Sequence, residues 1–112
     1  MLESLEQMLA RGTDNPMLRF GLGKGYLDAG EPARAAEHLR RCVAQDPTYS
    51  AAWKLLGKAL VACADEAGAR EAWQCGLVVA AARGDKQAER EMTTFLRKLD
   101  RRRPADADEA GV

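Results

Sequence analysis

The stretch Trp53–Leu60 reads Trp-Lys-Leu-Leu-Gly-Lys-Ala-Leu, and the stretch Arg19–Tyr26 reads Arg-Phe-Gly-Leu-Gly-Lys-Gly-Tyr. The second stretch lies 34 residues before the first, and both carry Leu-Gly-Lys at the same place. Other residues 34 apart are also small or apolar, including the pair Ala35 and Ala69. A period between 20 and 50 residues is typical of stacked repeats, so the chain is predicted to consist of a repeated unit.

Apolar residues within each unit recur at every third or fourth position, which predicts helices and no strand. Asn15-Pro16 is typical of a helix start and Gly30 of a helix end. Ser50 is predicted to cap a later helix through its side chain. The predicted fold class is therefore all-α.

The period of 34 does not run through the whole chain. Shifted backwards, it places Leu5 on Leu39, so residues 2–11 are predicted to be the second half of an earlier unit. Shifted forwards past residue 84, it places Leu56 on Arg90, which predicts a last helix of a different kind. The predicted domain spans 1–103, with a half-repeat helix at 2–11, repeats at 16–49 and 50–83, and a capping helix at 85–101, followed by a disordered tail at 104–112.

These residues resemble the tetratricopeptide repeat, a 34-residue helix-turn-helix unit. The second copy carries the pattern at Trp53, Leu56, Gly57, Leu60, Ala69 and Trp73. The first carries it at Leu22, Gly23, Tyr26, Gly30, Ala35, Leu39 and Pro47, with Arg19 in the place of the tryptophan. The resemblance covers about residues 2–83 and implies a right-handed array of antiparallel helix pairs with about six helices. It also implies a non-enzymatic module that binds other proteins.

In proteins similar to this one, the first helix of each pair lines a concave groove that holds a peptide or a helix. The resemblance implies a partner-binding groove lined by Met17, Phe20, Lys24, Leu27, Asp28, Lys54, Leu55, Lys58, Val61 and Ala62. Lysines beside apolar side chains favour an unidentified protein or peptide with acidic and apolar groups. The family's carboxylate clamp for chaperone C-termini needs an asparagine where Leu55 stands, so that activity is not expected.

Other coverings of this apolar stripe remain open at the level of sequence. The last helix could cover it through Phe95 or Leu96, or a second copy of the chain could cover it in a homodimer. The acidic tail 104–112 is a third candidate, and its deletion would then strengthen peptide binding.

Charge composition argues against several other functions. Lys and Arg number 17 and Asp and Glu also number 17, so the whole chain has no net attraction to nucleic acid or membrane. Residues 83–103 hold eight basic and four acidic side chains, which leaves nucleic-acid binding by the last helix as an alternative. A basic signal start and a membrane-length apolar run are both lacking, so the predicted location is cytoplasmic.

Metal, phosphate and catalytic sites are not predicted. His38 and Cys42 are four residues apart and could bind zinc together with Cys63 and Cys75, but Cys42 matches packing positions in the other units. Gly21, Gly23 and Gly25 surround Lys24 without a preceding strand or a following Ser or Thr, so they do not form a phosphate loop. The repeat explains Gly23 but not its two neighbours. With one histidine and two serines no catalytic set can be assembled, and we predict no enzyme and no cofactor.

Overall fold

The structure is a computed structural model that describes residues 1–102. Six helices and no strand occupy this range, which confirms the all-α prediction. The helices are α1 (Leu2–Ala10), α2 (Pro16–Asp28), α3 (Pro32–Gln45), α4 (Ser50–Ala62), α5 (Glu66–Arg83) and α6 (Lys86–Arg102). The predicted tail at 104–112 lies outside the described residues.

The starts of α2 and α4 differ in their chemistry. The Asn15 side chain accepts a hydrogen bond from the Leu18 backbone N–H at 2.8 Å, as expected for a helix cap. The expectation that Ser50 caps α4 is wrong, because Tyr49 holds the capping position and makes no side-chain cap bond. The Ser50 hydroxyl instead donates to Asp85 at 2.9 Å and ties the start of α4 to the α5–α6 connection.

The helices form two layers. Helix α2 packs on α3, α4 packs on both α3 and α5, and α6 packs on α5. Helix α4 also contacts α2 and α6, whereas no Cα atoms of the fully described helices α3 and α5 approach within 8 Å. We call α2, α4 and α6 the inner layer and α1, α3 and α5 the outer layer.

In each repeat, a large side chain of the second helix packs over a glycine of the first helix. Leu39 of α3 lies over Gly23 of α2, and Trp73 of α5 lies over Gly57 of α4, so neither glycine has space for a Cβ atom. The Trp73 indole N–H also donates to the backbone oxygen of Lys54 at 3.0 Å. These contacts bring each helix pair to close range and fix its rotation.

The two glycines that the repeat does not explain face α1. A Cβ atom on Gly25 would overlap Leu2, and one on Gly21 would lie 3.2 Å from Leu5 Cδ1. The missing side chains therefore let the half-repeat helix α1 approach α2 closely. This contact covers the N-terminal end of the array.

Helix α6, which covers nearly all of the predicted capping helix, packs on α5 and contacts α4, and so takes a place in the inner layer. Helix α5 has 18 residues where α3 has 14. The interval from the start of α4 at Ser50 to the start of α6 at Lys86 is therefore 36 residues instead of 34. At this interval the buried Leu56 corresponds to the buried Met92, so the repeat continues in a shifted register.

Helix α6 has a polar face where the equivalent face of α4 packs against α5. Trp53 and Gly57 of α4 pack against α5, and their counterparts in α6 are Glu89 and Thr93. These two residues share an open surface of α6 with charged neighbours. A polar outer face on the terminal unit is what a repeat array needs to end in water.

Met92 provides a direct test of this packing. It is fully buried and lies against Gly76 of α5. Met92→Ala should lower the free energy of unfolding by about 2–5 kcal/mol because it leaves a cavity between α5 and α6. Urea denaturation followed by circular dichroism measures the loss, and Thr94→Ala at an exposed site of the same helix is the control. Equal stability of the two variants would contradict the packing of α6 on α5.

Candidate partner-binding site

The ten residues predicted to line a groove lie on α2 and α4, two neighbouring helices of the inner layer. Met17 is 77% exposed. Of the others, Lys24, Asp28, Lys58 and Ala62 are exposed, and Phe20, Leu27, Lys54, Leu55 and Val61 are half-buried. All ten are thus at least partly accessible on adjacent helices.

Phe20 is the aromatic residue of this set. Its ring stacks on the ring of Tyr49, with centroids 4.9 Å apart and planes 20° apart. The stack joins the middle of α2 to Tyr49, the N-cap residue just before α4. Because the ring is held on one side and partly open on the other, it presents a rigid apolar anchor.

The three lysines of the set have different surroundings. Lys24 pairs with Asp28 at 3.3 Å, an exposed pair that contributes little and leaves the ammonium accessible. Lys54 is half-buried and pairs with Glu91 of α6 at 3.2 Å. Sequence reasoning treated Lys54 as available to a ligand, whereas the structure gives it an internal partner.

Lys58 also faces α6. Its ammonium lies 5.1 Å from the centroid of the Phe95 ring, within the range of a cation–π contact. The Phe95 ring in turn packs against the Trp73 ring, with centroids 5.1 Å apart. Lys58 is therefore oriented by an aromatic face while its charge stays exposed.

Helix α6 adds residues to this surface that sequence reasoning missed. At the interval of 36, Lys54 and Lys58 correspond to Arg90 and Thr94, and Val61 corresponds to Arg97. All three of these α6 residues are exposed. The signal that could have revealed them is the alignment of Ala52 with Ala88 and of Leu56 with Met92, which appears only at the longer interval.

Comparison with known proteins identifies the family. A family model described as the tetratricopeptide repeat matches residues 16–59. A tetratricopeptide repeat-containing protein of Pseudomonas aeruginosa is 72% identical over 103 residues, which cover 92% of this chain and 98% of that protein. This chain belongs to the tetratricopeptide repeat family. Proteins of this family are generally non-enzymatic modules that bind other proteins.

Solved structures of similar proteins have the same tetratricopeptide repeat (TPR) fold as this chain. The solution structure of a Bordetella parapertussis protein is 49% identical, with a TM-score of 0.83, and the match covers 96% of this chain and 94% of that one. The crystal structure of the Sgt2 TPR domain from Aspergillus fumigatus is 30% identical, with a TM-score of 0.74 over 88% of this chain and 66% of that one. A heat-shock cognate co-chaperone of the same fungus is 32% identical over 94 residues, which are 84% of this chain and 28% of that protein.

A polar cluster replaces the family's tryptophan in the first repeat. The Arg19 guanidinium donates to both Asp14 oxygens, at 2.8 and 2.9 Å, and lies 3.0 Å from His38 Nδ1. These bonds, with one from Gln45, hold the pKa of Asp14 well below its usual range. Burial and the charge of Arg19 lower the pKa of His38. The cluster fastens the α1–α2 connection to α3 in this tetratricopeptide repeat protein.

The four residues considered as zinc ligands do not come together. Cys42 is buried and its thiol donates to the Pro16 backbone oxygen at 3.3 Å, whereas Cys63 and Cys75 are exposed. Within residues 1–102, no group of three or more His, Cys, Asp or Glu side chains is arranged to hold a metal ion. None of the helices described in that range is long and apolar enough to cross a lipid bilayer.

Thiol reactivity should follow this burial. Burial raises the pKa of Cys42 to about 11, so its reactive thiolate is scarce at neutral pH. Iodoacetamide should therefore alkylate Cys63 and Cys75 in the folded protein and spare Cys42, and mass spectrometry counts the adducts. Cys42→Ala is the control and should still gain two. Rapid triple alkylation of the folded wild type would contradict the placement of Cys42.

Proposed function

We propose that this chain acts in the cytoplasm as an adaptor or assembly helper that binds a peptide or helix of another protein across the inner layer. The observation that carries the proposal is the row of accessible side chains on α2, α4 and α6, three helices held side by side. The family relationship supports the class of function, since tetratricopeptide repeats bind proteins. The bound partner is not chemically changed.

The chemistry of this surface favours a ligand with acidic and apolar groups. Phe20 supplies an apolar anchor, and the exposed Met17 extends the apolar area along α2. Lys24, Lys58 and Arg90 supply exposed positive charge along all three helices. Electrostatic complementarity of this kind speeds association and selects acidic segments.

The positive charge of the inner layer exceeds its negative charge. Asp28 and Glu91 are each paired with a lysine of the inner layer, and Glu89 and Asp100 of α6 are paired with Lys86 and Arg70. Arg97 of α6 adds to the excess. A surface of three short helices offers at most a standard-size interface, for which we expect an affinity of about micromolar.

The similarity to a co-chaperone supports the same mode of peptide binding in a groove, with a different ligand. The carboxylate clamp of chaperone-binding members needs an asparagine at the position of Leu55, whose side chain is apolar and half-buried. We therefore propose that the acidic groups of the ligand lie along its chain and not at a C-terminal carboxylate. Self-association through Met17 and Phe20 is the second candidate, because Met17 is an unusually exposed apolar side chain.

A charge-reversed pair of variants tests the inner layer. Lys24→Glu with Lys58→Glu should abolish capture of the partner from nuclease-treated lysate, because both changes place repulsive charge on the binding surface. The matched control is Arg11→Glu with Arg41→Glu, which makes the same net charge change at exposed sites outside the inner layer. Circular dichroism confirms that both double variants fold.

The outcomes separate the two candidates. A protein captured by wild type and by the matched control, but lost with the inner-layer variant, supports partner binding. Equal capture by all three proteins contradicts the inner layer as the site. A wild-type dimer in sedimentation experiments that dissociates on Phe20→Ala would favour self-association instead.

A further inference from the structure

The repeat places two equivalent clefts between neighbouring helices of the outer layer, one filled and one open. The first lies between α1 and α3, and the chain's own side chains fill it. The Tyr26 and His38 rings stack in parallel, with centroids 5.5 Å apart and planes 4° apart. The Arg34 guanidinium lies 5.4 Å from the Tyr26 ring centroid and 3.6 Å from Glu31.

The second cleft lies between α3 and α5 and is open. Its side chains are smaller, since Leu60, Ala72 and Gly68 stand 34 residues after Tyr26, His38 and Arg34. A cavity of about 520 Å³ takes the place of the missing ring and guanidinium. Gly68 has no space for a Cβ, because Asp65 occupies that position while capping the Gly68 N–H at 2.9 Å.

Two acidic positions of the first repeat are kept in the second, whereas Glu6, which accepts from the Tyr26 hydroxyl at 2.7 Å, corresponds to Arg40. Glu31 and Glu37 correspond to Asp65 and Glu71, and both of the latter line the cavity. The Asp65 Oδ2 atom forms an ion pair with Arg40 Nη2 at 3.9 Å. Glu71 is exposed and forms no ion pair with any residue in 1–102. The cleft thus holds two carboxylates and one arginine, and because Arg40 pairs with Asp65, the Glu71 carboxylate is left without a cation.

We propose that this cavity receives an arginine side chain from a segment of a partner protein. The guanidinium lies against the Trp53 ring and pairs with the Glu71 carboxylate. Trp53 is half-buried in the cavity wall, and its indole N–H donates to the Pro47 backbone oxygen at 2.8 Å, which holds the ring in place. Arginine suits this site better than lysine, because its planar, weakly hydrated group both stacks on an aromatic ring and matches a carboxylate.

A partner protein is a better source of the arginine than a second copy of this chain. Exposed arginines of this chain lie on helices of the array, among them Arg41 on α3, Arg83 on α5, and Arg90 and Arg97 on α6. An arginine of α6 placed in the cavity of another copy would make a head-to-tail contact, which builds rings or open chains and not a two-fold dimer. The second cleft is also on the opposite layer from the proposed inner-layer site, so the two proposals can fail separately.

Peptide titrations followed by NMR of the full chain test the proposal. The probes are acetyl-Gly-Ala-Arg-Ala-Gly-amide and its counterparts with lysine or citrulline in place of arginine. The arginine peptide should shift the backbone amides of Gly68 and Ala72 and the indole N–H of Trp53 in a saturable way. The lysine peptide lacks the planar group and the citrulline peptide lacks the charge, so both should bind at least about threefold more weakly.

Two matched variants locate the interaction. Glu71→Gln should weaken binding of the arginine peptide about threefold or more, because it removes the unpaired carboxylate. Glu37→Gln changes the corresponding residue beside the filled first cleft and should leave the affinity unchanged. Thermal unfolding confirms that both variants fold.

Several results would overturn the proposal. Equal binding of the three peptides, equal weakening by the two variants, or no shift at Gly68 would each do so. Concentration-dependent growth of wild-type assemblies that Glu71→Gln abolishes would assign the cleft to a second copy and overturn the partner source.

Discussion

The seating of a large side chain over a glycine is the contact on which the rest of this structure depends. Leu39 over Gly23 and Trp73 over Gly57 bring each helix pair to a distance that other residues could not reach. A similar contact, Met92 against Gly76, attaches α6 to α5. Because these contacts fix the rotation of each helix, they also decide which side chains of α2, α4 and α6 remain accessible.

One repeated backbone thus carries two surfaces of different chemistry. The inner layer combines a stacked phenylalanine with exposed cations along three helices. The outer layer has two equivalent clefts, of which one is filled by an arginine and two stacked rings and the other is left open by Gly68 and Ala72. Divergence between the repeats thus changes the chemistry of the clefts, while a large side chain packed over a glycine is kept in both repeats.

The helices and their pairing could be predicted from the sequence because they depend on short-range spacing and on a period of 34. The position of α6 could not be read at that fixed period, since the longer α5 moves the next helix by two residues. Ser50 was predicted as a cap from its residue type, but its hydroxyl meets Asp85, which is 35 residues away. The partners of Lys54 and Lys58 were missed for the same reason, because both lie on α6 and depend on how that helix packs.

Site-specific photocrosslinking tests most directly the claim that the inner layer is the binding face. p-Benzoylphenylalanine replaces Lys24, which is exposed on α2, in one variant and Gln7, which is exposed on α1, a helix that lines neither proposed site, in another. Irradiation of cells that produce each variant should give a discrete adduct with another protein from position 24 and none from position 7. An adduct from position 7 together with none from position 24 would contradict the account.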